Sequence, residues 1–108
     1  MAEPLRIAYV MPNLLCCGGH RVILEHAIRL SKRGHDVRLV PLDSQSHRLD
    51  WYPVPEGSVR LADFDKPEQW LEDLDCVVAT FNETVWKVLE LPGGIAKFYF
   101  LQSDERPF

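Results

Sequence analysis

Strand-length apolar runs alternate with segments of helical periodicity along the whole of this sequence, and that alternation restricts the fold more than any single motif. Residues 5–11 (Leu-Arg-Ile-Ala-Tyr-Val-Met) are almost continuously apolar, which suits a strand buried on both faces, as in a parallel sheet. Residues 12–19 carry Pro, Asn and a Gly-Gly pair and read as a loop. From His20 the period changes. Ile23, Ala27 and Leu30 recur at i, i+4 and i+7, while Arg21, Glu25, Arg29 and Lys32 fall largely elsewhere, the pattern of an amphipathic helix. Lys32 and Arg33 place cations in its last turn, and Gly34 supplies the C′ position.

The same logic continues downstream. Residues 36–42 predict a second strand with Pro41 at its end, since proline cannot serve a central ladder. Residues 44–57, polar and containing Pro53, Pro55 and Gly57, predict a long loop, and residues 58–61 a short strand. Pro67 marks a helix start, and residues 75–79 a buried strand. Thr80-Phe81-Asn82-Glu83 fits a capping box, in which the Thr80 hydroxyl and the Glu83 carboxylate satisfy free amides. Val85, Val88 and Leu89 form the apolar stripe of the helix that follows, Pro92-Gly93-Gly94 ends it, and residues 96–101 make a last strand. The expected fold is α/β: an open parallel sheet flanked by helices, with right-handed crossovers.

Composition narrows the function classes. A chain of 108 residues is one domain, and 46% apolar content is enough for a single core. A formal net charge of −4 argues against nucleic acid as a partner. No apolar run approaches the length that spans a bilayer. The opening residues show no cleavable leader, and Cys16, Cys17 and Cys76 fit free thiols better than a stapled framework, so a cytoplasmic location is expected. The four histidines, His20, His26, His35 and His47, have no metal-ligand spacing, and no nucleophilic triad can be justified. Trp51, Trp70 and Trp86 read as packing residues, with Trp51 the one expected at the surface.

In an open parallel sheet, ligands sit beyond the C-terminal strand ends, near the point where strand order reverses. The loops to search are therefore residues 12–19, 43–46, 80–82 and 102–105. Gly18-Gly19 precedes a helix start, where close backbone approach and free amides favour an anion such as phosphate, with His20 and Arg21 as further donors. The alternative is a turn needing positive φ, with no ligand. The spacing does not match a dinucleotide fingerprint, and only Asp43 is a candidate to grip a ribose, so no dinucleotide cofactor is expected. Gln102, Asp104 and Glu105 either bind the hydroxyls of a sugar acceptor, or serve proton transfer through the adjacent carboxylates, or form a solvated exit loop. Thr80 and Asn82 are explained as capping residues, with a ligand role as the alternative.

Several segments together resemble a known family. Residues 6–10 (Arg-Ile-Ala-Tyr-Val), Gly18-Gly19-His20-Arg21, residues 27–30 (Ala-Ile-Arg-Leu) and residues 33–37 (Arg-Gly-His-Asp-Val) resemble the opening of retaining, nucleotide-sugar-dependent GT-B glycosyltransferases. Residues 98–105 are similar to the aromatic strand and Gln-containing loop of their rhamnosyltransferase-like branch. The resemblance implies a Rossmann-like N-terminal domain, spanning residues 1–108, that holds the acceptor. It implies that the donor-binding C-terminal domain lies outside this sequence, so that the chain alone is not expected to transfer sugar. It also implies that Gly18 and Gly19, with Arg21, close over the donor diphosphate, and that no metal or cofactor is needed, the nucleotide-sugar being a substrate. Asn13, Thr80, Asn82, Gln102, Asp104 and Glu105 are the acceptor contacts expected on this reading. The parent enzyme would build cell-surface polysaccharide from a nucleotide-sugar donor and a saccharide or lipid-linked acceptor.

The rival is a stand-alone binding or interaction module of flavodoxin-like topology, without catalysis. A phosphorylatable receiver does not fit, because Pro12-Asn13 and Thr80-Phe81 stand where its acidic groups are needed. Arg29, Lys32 and Arg33 either complement the helix dipole or dock a membrane surface peripherally. Exposed apolar surface is expected to support a homodimer.

Overall fold

The computed structural model describes residues 3–15, 18–43 and 49–100. Along the chain come β1 (Arg6–Met11), α1 (Gly18–Lys32), β2 (Asp36–Pro41), β3 (Arg60–Leu61), a 3-10 turn (Pro67–Gln69), β4 (Cys76–Ala79), α2 (Asn82–Leu89) and β5 (Ala96–Tyr99). All pairings are parallel, and the five strands lie in the order β3-β2-β1-β4-β5. This is a Rossmann-like α/β sheet, and its order differs from the 2-1-3-4-5 order of flavodoxin-like folds.

Alternation along the strands sorts the core into two layers. Ile7, Tyr9, Met11, Val37 and Leu39 face α1, packing on Ile23, Leu24 and Ala27. Ala8, Val10, Val40, Val77 and Ala79 face the other way, against Trp70, Leu74 and the α2 residue Val88. The near-continuous apolar runs of β1 and β2 are thus explained by burial on both faces.

Crossover handedness decides what covers each face. The β1-to-β2 and β2-to-β3 connections run in one direction across the sheet, so a right-handed crossover puts both on one side. The second of these carries no helix among the described residues. Instead Leu49, Trp51, Tyr52 and Val59 pack against the α1-side core. Tyr52 donates to Glu25 Oε1 at 3.3 Å, and the Ser31 hydroxyl donates to the Ser58 carbonyl. After β3 the direction reverses, and the following segments cross the opposite face.

At the N-terminal strand ends, ion pairs tie the sheet together. Arg38, only 3% exposed, donates from Nη1 to the Trp70 carbonyl at 2.7 Å and from Nη2 to Asp36 at 3.0 Å and Asp73 at 3.3 Å. Arg60 Nη2 donates to both carboxylate oxygens of Asp36, at 3.2 and 3.0 Å, and Arg6 spans Asp73 and Asp75. Burial disfavours the Arg38 charge, but hydrogen bonds and attraction from Asp36, then Asp73, raise its pKa above the ordinary arginine value. Asp73 adopts φ 59°, the left-handed region, a conformation that Asp tolerates better than most side chains.

Several local expectations are revised. The Gly-Gly pair lies inside the first turn of α1, not before it. Only one 3-10 turn follows Pro67. Thr80 does not cap α2: its hydroxyl donates to the Val10 carbonyl at 2.8 Å. The cap is built by Thr84, whose Oγ1 accepts from the Thr80 and Phe81 amides at 3.0 and 3.2 Å and donates to the Phe81 carbonyl at 2.7 Å. Trp70 is buried as expected, but Trp86 is 68% exposed and Leu89 is 58% exposed. Trp51, expected at the surface, is half-buried and donates from Nε1 to the Leu14 carbonyl at 2.7 Å.

Candidate functional site

The strand order places the switch crevice between β1 and β4, at their C-terminal ends. Two connections meet there: residues 12–15, leading toward α1, and Thr80-Phe81, leading into α2. Side-chain bonds hold the first of them from three directions. Asn13 Oδ1 accepts the Leu15 amide at 3.0 Å, an Asx turn. Trp51 binds the Leu14 carbonyl. His20, 4% exposed, brings Nδ1 within 2.6 Å of the Leu15 carbonyl oxygen. A carbonyl only accepts, so Nδ1 carries the proton.

The His20 ring also meets Phe81 edge-on, with centroids 5.2 Å apart and planes at 85°. This contact joins the two sides of the crevice. The α1 N-terminus, with Gly18 and Gly19 in its first turn, opens there. Backbone amides without intrahelical partners and the positive dipole end make such a turn receptive to an anion. No acidic residue lies in that first turn to oppose it.

No protein-family model, curated protein or solved structure matches this chain.

The expected site residues divide by position. Gly18, Gly19, His20 and Asn13 gather at the crevice, but His20 serves the fold there as a buried brace. Arg21 is largely exposed and pairs with Glu25 one turn along α1, at 3.6 Å. Thr80 is 1% exposed with its hydroxyl engaged by Val10, whereas Asn82 is exposed at the start of α2. Gln102, Asp104 and Glu105 lie outside the described residues, as do Cys16 and Cys17. The roles of Phe81 and Trp51 escaped the sequence reading. Phe81 carried no local signal, because its partner is about 60 residues away in the chain; Trp51, set among prolines, carried a faint one.

Other features belong to the framework. A cavity of about 240 Å³, lined in part by Arg38, Arg60, Trp70 and Asp73, lies at the opposite end of the sheet among the ion pairs, and we assign it to the structure and not to the chemistry. Burial pushes the Tyr9 hydroxyl up, with a smaller contribution from Cys76. It also pushes the half-buried Cys76 thiol up, with a smaller contribution from Asp75, so neither group is poised as a nucleophile. Among the described residues no group of His, Cys, Asp and Glu could hold a metal ion, and no helix is long and apolar enough to cross a membrane.

Proposed function

We propose that this chain is the acceptor-side, diphosphate-closing N-terminal domain of a retaining GT-B glycosyltransferase acting from the cytoplasmic side on a nucleotide-sugar donor. One observation carries the reading: the Gly-Gly turn of α1 opens into the β1/β4 switch crevice. Gly18 and Gly19 let the backbone approach the diphosphate closely, and their amides stabilise the charge that builds on it as the glycosidic bond to the donor breaks. The brace formed by His20, Asn13 and Trp51 holds the connection before that turn in shape, so little reorganisation accompanies binding. On this reading Asn82 and the Asn13 side chain contact acceptor hydroxyls. Arg21 supplies longer-range attraction for the anion.

The test is titration of the chain with a nucleoside diphosphate, followed by backbone amide NMR shifts. Shifts confined to residues 18–20 and 80–82 are expected, with binding weakened about tenfold or more in Gly19→Val, an effect of about 1.4 kcal/mol. Shifts scattered over the surface, or equal affinity in Gly19→Val, would sink the proposal. In an enzyme containing this segment, a transferred sugar with inverted anomeric configuration would sink the retaining assignment.

A further inference from the structure

The cations at the end of α1 take no part in the crevice. Arg29 and Lys32 lie in the last turn and Arg33 follows it, positions where a cation complements the helix dipole whichever way it points. Their partners say more. Glu25 stands four residues before Arg29, the spacing and order in which a carboxylate pairs best with a cation along a helix. It does not take that partner. Its Oε1 faces Arg21 Nε at 3.6 Å, in the less favourable order, and accepts the Tyr52 hydroxyl at 3.3 Å. Arg29 and Lys32 are exposed, and neither makes an ion pair among the described residues.

The connection from β2 to β3 turns this side of α1 into a pocket. Ile28, Arg29 and Lys32 recur with Glu25 at helical spacing, so all four share one side of the helix. Tyr52, Pro53 and Pro55 stand against them, and the pocket between has a volume of about 230 Å³. Ile28 is buried, and Tyr52 packs on the α1-side core, so the inner wall is apolar. It is also held in place. Tyr52 is tied to Glu25, the Ser31 hydroxyl donates to the Ser58 carbonyl, and the two prolines have fixed φ. The only carboxylate in the lining, Glu25, is matched by Arg21 outside it, so two uncompensated cations face an apolar wall. Arg33, next in the chain to Lys32, does not line the pocket.

We propose that this pocket binds a small molecule carrying an anionic group, a carboxylate or a phosphate monoester, on a flat apolar body. Arg29 and Lys32 receive the anionic group, and Ile28, Tyr52, Pro53 and Pro55 receive the body. The volume lies below that of drug-sized sites, which limits the body to about one ring. The site is distinct from the β1/β4 crevice: Gly18 and Gly19 lie in the first turn of α1, whereas the pocket uses its second half. It therefore does not depend on the glycosyl-transfer reading.

Phenyl phosphate and inorganic phosphate, each titrated into the chain at constant ionic strength and followed by backbone amide NMR, test this. Phenyl phosphate should shift the amides of residues 25–32, 52, 54 and 56. It should bind there about tenfold or more tightly than inorganic phosphate, because only the ester buries a ring against the apolar wall. Arg29→Gln/Lys32→Gln, a change at two exposed positions, should weaken phenyl phosphate about tenfold. Arg33→Gln, which removes the same charge one residue outside the lining, should change it by less than about twofold. Equal binding of the two anions would overturn the proposal, since it would leave only general attraction to cations. So would losses in Arg33→Gln as large as in the double variant, which mark a diffuse basic surface. Shifts confined to residues 18–20 would also overturn it while leaving the crevice reading intact.

Discussion

Arg38 shows what one residue can impose on a fold like this. It occupies a strand position that faces the core, where an apolar side chain is the usual choice. Its guanidinium is accommodated because two carboxylates and the Trp70 carbonyl receive it. Removing one partner of a buried ionic cluster is costly, whereas refilling the volume recovers part of the loss. Arg38→Ala is expected to destabilise the chain by about 3 kcal/mol and Arg38→Met by about 1–2 kcal/mol, measured by urea unfolding. Equal stability of wild type and Arg38→Ala would show that the cluster contributes nothing. Thr84 teaches a related lesson. A threonine inside α2 replaces the expected box by reaching back to two amides, so Thr80 is free to tie β4 to β1.

At the scale of elements, the end of α1 was legible from residue types and the start was not. Gly34 takes φ 97°, its amide binds the Ser31 carbonyl at 3.0 Å and the His35 amide binds the Leu30 carbonyl at 3.2 Å, a Schellman closure. His35 then accepts the Leu5 amide at 2.9 Å, linking that turn to β1. A Cβ on Gly34 would meet no atom within 4 Å, so its only cost is the backbone conformation. Gly34→Ala should therefore lower stability by about 1 kcal/mol without altering the fold, read as a shift in the urea midpoint at constant slope. A stabilised variant would contradict the left-handed assignment. The β2-to-β3 connection is the converse case. Its prolines correctly predicted coil, but nothing in them indicated that Trp51 and Tyr52 would strap α1 and brace the crevice.

Across the whole molecule, the ion pairs at the N-terminal strand ends link β1, β2, β3 and the segment leading into β4. Hydrogen bonding from Arg38, with the charges of Arg38 and Arg60, holds Asp36 below the ordinary carboxylate range despite its partial burial. Hydrogen bonds from the Arg6 side chain and backbone do the same for Asp75. A carboxylate with a depressed folded pKa stabilises the native state above its unfolded value and loses that contribution as pH falls through the folded one. Stability should thus hold from neutrality to about pH 4 with respect to these groups and decline below it. Urea midpoints measured from neutral to acidic pH should show this, with a shallower decline in Asp36→Asn. An unchanged acid slope in that variant would remove Asp36 from the account.

Residue order alone was sufficient for the order of the strands along the chain, for the existence of α1 and α2, for the parallel class and for the glycine closure of α1, because each depends on periodicity or backbone preference over a few neighbours. It placed the start of α1 too late and expected a helix where Pro67 opens only a 3-10 turn. The same local information misassigned the α2 cap and the outward turn of Trp86, and it could not foresee that Arg38 would be buried. Those outcomes depend on which strand lies beside which. Once β4 pairs with β1, Thr80 meets Val10, Phe81 meets His20 and the crevice exists. Pairings between residues about 70 positions apart are chosen by the competition among faces for burial, and no short stretch of sequence contains both sides of that competition.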